Sequence, residues 1–249
     1  TCSRIIKQKS VNFFQDDTTK KSNNMRAHTK EIQASITPAI ALEILKEGNS
    51  RFVNNLKLNR NLLQQVNETR DGQWPFAVIL SCIDSRTSAE LIFDQGLGDI
   101  FSIRIAGNIV NEDILGSMEF ACKVAGSKFI LVLGHSKCGA VKGACDAVEM
   151  GNLTTLISKL RPAVKEEKIT KDNRTSANAD FVENVARLNV QLMVQEIMKR
   201  SEILSEMILN GEAGIIGAMY HVETGVVDFY EDTKIVKPKQ QLTKQETPA

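Results

Sequence analysis

Two apolar runs in this sequence each stop at residues capable of chemistry. The first, F-A-V-I-L-S-C-I-D-S-R at 76–86, delivers Cys82, Asp84 and Arg86, and the second, K-F-I-L-V-L-G-H-S-K-C at 128–138, delivers His135 and Cys138. Two thiols and an imidazole make a donor set that suits zinc, with a fourth position left open for water or substrate. Two thiolates cancel the charge of the ion, so it is a weaker Lewis acid than one held by neutral imidazoles, and its water needs help to ionise. Asp84 and Arg86 are spaced to give that help, because a guanidinium grips a carboxylate at two points and keeps it ionised and oriented. Asp84 has two other readings: half of an ordinary surface ion pair, or the fourth ligand of a closed or purely structural site. Thiol redox chemistry fits worst, since no C-x-x-C pair is present.

These residues need a scaffold that brings the ends of two runs together. A short continuous apolar run marks a strand buried on both faces, and open α/β sheets gather ligands beyond the carboxyl ends of their strands. Strands are expected at 76–82, 100–106, 128–135, 215–221 and 226–230, the last two as a hairpin through E-T-G. Helical stretches between them imply an α/β fold: a mainly parallel sheet of four strands plus an antiparallel edge strand, flanked by helices, with an N-terminal helical arm. Thr37-Pro38 opens a helix, as N-cap and first helical residue, and Gly48-Asn49 reads as a break between two helical pieces. Residues 56–74 read as irregular. Further helices are expected at 88–94, 113–125 and 139–150, the last ended by Gly151-Asn152, then over most of 153–210 with a polar gap at 171–178. The stripe Phe181, Val185, Leu188, Leu192 and Ile197 reads as core. Arg104, inside a predicted strand, calls for an anionic partner if it is buried. Cys122 and Cys145 read as small core residues, and His28 and His221 as structural.

The chain has 249 residues, 42% of them hydrophobic, enough for one sizeable domain. A net charge of +1 gives no electrostatic case for nucleic acid or an anionic membrane. No apolar run approaches the roughly 20 residues of a membrane span. Five cysteines, an odd number in a fold of this type, point to reduced or metal-bound thiols and a cytoplasmic setting. The sequence starts with Thr, so a removed leader, with a periplasmic or organellar destination, stays open. Three parts are expected: a polar arm at 1–35 with net charge +4, a single α/β domain at 36–230, and a polar tail at 231–249.

C-I-D-S-R at 82–86 and G-H-S-K-C-G at 134–139, with D-Q-G-L-G-D-I-F and R-I-A-G-N between them, resemble the paired signatures of β-class carbonic anhydrases. The similarity runs from about 36 to 230. It implies a zinc enzyme for the reversible hydration of CO2 to bicarbonate and a proton by hydroxide on the metal. Cys82, His135 and Cys138 would be the ligands and Asp84 with Arg86 the activating pair. G-Q-W-P at 72–75 resembles the segment whose glutamine reaches into the substrate pocket of a neighbouring subunit, which assigns that role to Gln73 and implies a homodimer or homotetramer. Phe101 and Ala106 fall at positions of the apolar pocket wall, and Gly139 at one that offers a backbone N–H. Phe120 stands where plant-like members carry tyrosine, so one hydroxyl is missing. Ile79 stands where members with an allosteric bicarbonate pocket tend to carry tryptophan. The same motifs fit a sibling enzyme acting on CS2 or COS. A zinc-stabilised binding module without turnover is the reading from another class. Arg86 argues against it, since a structural site has little use for a guanidinium that competes for Asp84. No histidine is obviously placed as a proton shuttle.

Overall fold

The computed structural model describes residues 25–238; the greater part of the expected arm, 1–24, and the end of the expected tail, 239–249, lie outside the described residues. Five strands form one sheet: β1 (Ala77–Ser81), β2 (Ile100–Arg104), β3 (Phe129–His135), β4 (Gly214–Tyr220) and β5 (Val227–Ile235). Their order is β2-β1-β3-β4-β5. β1 runs parallel to β2 and β3, β3 runs parallel to β4, and β5 pairs antiparallel with β4, as the alternation of apolar runs and helices implies. Ala77 lies level with both Ile100 and Phe129, so the central strands start together.

Every residue of β1, β3 and β4 is buried, which is why these strands read as unbroken apolar runs. Odd and even positions serve different layers. Ala77, Ile79, Phe129, Leu131 and Ile216 pack into one core, and Val78, Leu80, Ile130, Val132 and Ile215 into the other. The first layer is built by α1 (Lys30–Ser35), α2 (Pro38–Val53), α3 (Leu62–Thr69) and α4 (Ala89–Ile92). Within it Ala41, Leu42 and Leu45 of α2 and Ile92 of α4 cover the sheet. The second layer holds α5 (Glu112–Glu119), which runs on into a π-turn at Phe120–Val124, then α6 (Gly139–Cys145), α7 (Gly151–Ser158), α8 (Arg161–Glu166), α9 (Ala179–Arg200) and α10 (Glu202–Leu209). Of the stripe the periodicity marks as core, Phe181, Val185 and Ile197 of α9 are fully buried, and Leu188 and Leu192 are partly buried against them. A fully buried side chain of this size contributes about 1.5–3 kcal/mol.

Three local expectations are corrected, and the end of the arm shows how it attaches. Gly48-Asn49 does not break α2. A Cβ on Gly48 would stand 1.9 Å from the carbonyl oxygen of Phe93, so glycine is there to let two backbones touch. The buried Asn49 donates to the carbonyls of Ile92 (3.2 Å) and Gly225 (2.9 Å) and accepts from Val227 N–H (2.9 Å). Next, 56–74 contains α3, capped by Asn61 Oδ1 accepting from Gln64 N–H at 3.1 Å. Gly151 starts α7 rather than ending α6, which stops at Cys145 before Ala147 turns to a φ of 51°. Finally, the end of the N-terminal arm is docked: Gln33 donates to Pro75 O and Ala125 O, both at 2.8 Å, and Met25 N–H to Asn59 O at 2.9 Å. None of the helices described is long and apolar enough to cross a membrane.

Candidate metal centre

Register sets the site. Ser81 lies level with Leu133, so Cys82 leaves the sheet beside the last residues of β3, and His135 closes that strand. Ser136 and Lys137 then turn the chain into α6, with Cys138 as its N-cap residue and Gly139 as its first residue. The two sulfurs are 4.0 Å apart, and the ligand atoms of Cys82, His135 and Cys138 all lie within 4.8 Å of one another. All three residues are buried.

His135 Nδ1 lies 3.0 Å from the carbonyl oxygen of Ser136. A carbonyl only accepts, so Nδ1 carries the proton and Nε2 presents a lone pair. That Nε2 is buried with no hydrogen-bond partner, an arrangement that costs about 1–3 kcal/mol if nothing fills it. The hydrogen bond between the sulfurs, with further help from the N–H of Gly107, pulls the Cys82 thiol well down. The same shared proton, together with burial, pushes Cys138 up. Only a cation between the sulfurs lets both ionise, and a metal ion also answers the orphaned nitrogen.

Gly107 and Asn189, which the sequence did not single out, and Arg104, which it did, hold this set in place. Gly107 N–H points at Cys82 Sγ (3.4 Å), and its carbonyl accepts from the buried Asn189 on α9 (3.0 Å). Gly107 has a φ of 69°, and a Cβ there would meet Leu160 at 2.9 Å. Arg104, expected to need an anion, lies exposed on the edge strand instead. It donates to the carbonyls of Cys82 (3.0 Å) and Asp84 (2.6 Å) and so grips the backbone of the metal loop. Its charge in an apolar run was the available signal; its carbonyl partners were not foreseeable. Asp84 and Arg86 do pair. Arg86 donates from Nε (2.9 Å) and its backbone N–H (3.0 Å) to Oδ1 and from Nη2 (2.8 Å) to Oδ2. The guanidinium holds the Asp84 carboxyl well below the usual carboxylate range. With both oxygens engaged, Asp84 is not a fourth ligand in this conformation.

The expected pocket residues fall into two groups. Ala106 precedes Gly107, and Gly139 opens α6, both at the metal end of the sheet. Phe101 lies level with Val78, four residues before Cys82 and thus about 13 Å short of it at 3.3 Å per residue. Phe101 and Phe120 meet edge to face with ring centroids 6.3 Å apart. Gln73 is exposed and precedes β1, at the same amino end of the sheet. One chain therefore does not bring Gln73, Phe101 and Phe120 to its own metal ligands.

The family model described as carbonic anhydrase matches residues 77–227. Carbonic anhydrase 2 of Mycobacterium tuberculosis is 37% identical over 196 residues, covering 76% of this chain and 90% of that protein. The solved Coccomyxa beta-carbonic anhydrase in complex with acetazolamide superposes with a TM-score of 0.59 at 25% identity, covering 66% of this chain and 75% of that one. A chain from the crystal structures of two tetrameric beta-carbonic anhydrases of Sordaria macrospora shares the fold, with a TM-score of 0.59 at 22% identity over 78% of this chain and 95% of that one. The matched segment runs through both strand-end motifs and the paired Asp84 and Arg86, and on it the chain belongs to the carbonic anhydrase family, in its β class.

Proposed function

We propose that this carbonic anhydrase hydrates CO2 reversibly to bicarbonate and a proton at a zinc ion held by Cys82, His135 and Cys138. One observation carries the reading: a buried, unpartnered imidazole nitrogen faces two thiols 4.0 Å apart, beside a carboxylate already committed to Arg86. Tetrahedral zinc with bonds of about 2.3 Å to sulfur sets two thiolates roughly 3.8 Å apart, close to the spacing here. Bound zinc supplies Lewis-acid activation of water at near-neutral pH.

The chain's own residues do the rest. Arg86 keeps Asp84 ionised and turned aside, so its carboxylate can accept a hydrogen bond from a water entering the open position. Release from Arg86 would let Asp84 close that position, which makes the pair a gate. Gly139 N–H and the side chain of Ala106 border the metal end. Gln73, Phe101 and Phe120 supply the remaining wall from a second copy, with Gln73 donating where negative charge develops on a CO2 oxygen. CO2 carries no charge to grip, so apolar walls suit it. The functional unit is accordingly a homodimer or homotetramer, and the 36–230 segment acts as one catalytic domain with α1 and the end of β5 attached to it. Cys82, Cys122, Cys138 and Cys145 are all free thiols, which favours a reducing compartment such as the cytoplasm. Against a structural site closed by Asp84 stands the three-point hold of Arg86 on that carboxylate.

The test is stopped-flow CO2 hydration with metal quantitation on the same sample. One zinc per chain and hydration well above the uncatalysed rate are expected. Hydrolysis of CS2 or COS without CO2 hydration would transfer the reading to the sibling substrates.

A further inference from the structure

The segment between His135 and Cys138 is held from outside its own strand. Ser136 N–H donates to Tyr220 O at 2.9 Å, and the Ser136 hydroxyl accepts from Val222 N–H at 3.0 Å and donates to Glu223 Oε2 at 3.2 Å. The other Glu223 oxygen, Oε1, pairs with Lys137 Nζ. Lys137 has a φ of 59°, the left-handed region that costs a residue with a Cβ free energy. Ser136 O is also the acceptor that orients His135. The two residues that aim both ligands are thus fastened to the turn between β4 and β5.

That turn is itself fixed. Thr224 and Gly225 N–H groups both bond to His221 O, at 3.2 and 2.8 Å, and Asn49 of α2 holds Gly225 and Val227. We propose that Glu223 is a positioning residue for the metal loop: one carboxylate engages Ser136 and Lys137 together, and so holds Lys137 in its left-handed conformation and His135 and Cys138 at ligand spacing. Glu223 bonds to Ser136 and Lys137 rather than to a ligand side chain, and its charge also reaches Arg86, so its part in holding the loop is read in how long the ion stays bound. The inference rests on the ligand assignment above.

The test times zinc release from the full-length, zinc-loaded protein to an excess of a chelating chromophore. The variants are Glu223→Gln, Glu223→Ala, Lys137→Met and the Glu223→Gln/Lys137→Met double. The side chains of Glu223 and Lys137 are 49% and 59% exposed, so the metal-free fold tolerates these changes and its melting temperature stays put. Each Glu223 variant should release zinc about fivefold faster, the order expected for loss of hydrogen bonds to a partly solvated carboxylate. The double variant should release it no faster than the faster single, because both changes cut the same link. Raised salt should speed release in the unaltered protein and leave the double unaffected. Release at the unaltered rate from both Glu223 variants overturns the proposal, as does strict additivity in the double. The ligand assignment is read separately: it fails if Cys82→Ser retains zinc as tightly as the unaltered chain.

Discussion

The two ends of the sheet are built on different terms. At the carboxyl end one chain brings Cys82, His135 and Cys138 together, buries all three, and backs them with Gly107, Asn189, Arg104 and the β4–β5 turn. At the amino end the residues expected to wall the substrate are more open: Gln73 is exposed, Phe120 is 55% exposed, and Phe101 is half-buried. The contrast follows from what each half must do. Metal ligands need fixed spacing within a fraction of an ångström, which a single folded chain delivers. A wall for an uncharged gas needs only apolar surface, and apolar surface left open on a monomer marks a place where another chain sits.

Mixing two crippled chains gives the largest expected effect. Cys82→Ser should lose metal and CO2 hydration, at least about a thousandfold, because no other group generates the nucleophile. Gln73→Ala/Phe101→Ala should cripple the opposite end while keeping its zinc. If the site spans two chains, an equal mixture that exchanges subunits regains intact sites in about a quarter of all positions by random assortment. A mixture that exchanges subunits yet stays inactive would show that each chain serves itself.

Arg86→Ala probes the metal end alone, with a loss of about 100-fold or more in kcat, the scale of taking the Asp84 carboxylate out of its positioned role. Asp84 should then lie on the metal, and a cobalt-substituted sample should show the change in ligation by its absorption spectrum. Near-normal turnover with the open spectrum would reduce Arg86 to a surface partner of Asp84.

The smallest effect concerns the support of the amino end, where Glu68 on α3 ties down the docked segment before α1. Burial opposes ionisation of Glu68, but hydrogen bonds from Ala27 N–H, Arg26 and Gln64 outweigh it and hold its carboxyl below the ordinary range. A depressed folded-state pKa contributes stability above the unfolded value of about 4.3, lost as pH falls through the lower folded value. Arg26 is largely exposed, so the contribution is at most about 1 kcal/mol. Glu68→Gln should lower the melting temperature slightly at pH 7 and flatten its decline below about pH 4. An unchanged acid limb would remove Glu68 from the account.

The strands and the cluster of Cys82, His135 and Cys138 were legible because each depends on a short, local pattern. Buried parallel strands must be apolar throughout, and ligands at strand ends follow them immediately in sequence. What stayed hidden depends on contacts between distant segments. α3 carries an N-cap signal at Asn61, but Leu62, Leu63 and Val66 face outward, so no buried stripe announces the helix. Gly48 resembles a breaker until Phe93 is seen against it. Arg104 looks like a buried cation until edge position and carbonyl partners are known. The division of the expected pocket residues between the two ends of the sheet shows only once register is known, since Phe101 and Ala106 are five residues apart yet lie at opposite ends.

Asn49 has a consequence for how the chain reaches this state. Its amide joins α2 to a turn 176 residues further along, and accepts from Val227 at a separation of 178. Closing so long a loop costs entropy before the bonds that reward it can form, and contacts at this range slow folding. During synthesis α2 emerges early but cannot complete its seat until the β4–β5 turn has left the ribosome. Its apolar face, Ala41, Leu42 and Leu45, can settle on the sheet beside β3 once that strand is out, but the Asn49 bonds wait for residue 227. The seat of α2 is therefore completed late, and the interval before residue 227 appears is when it is most exposed to misassociation.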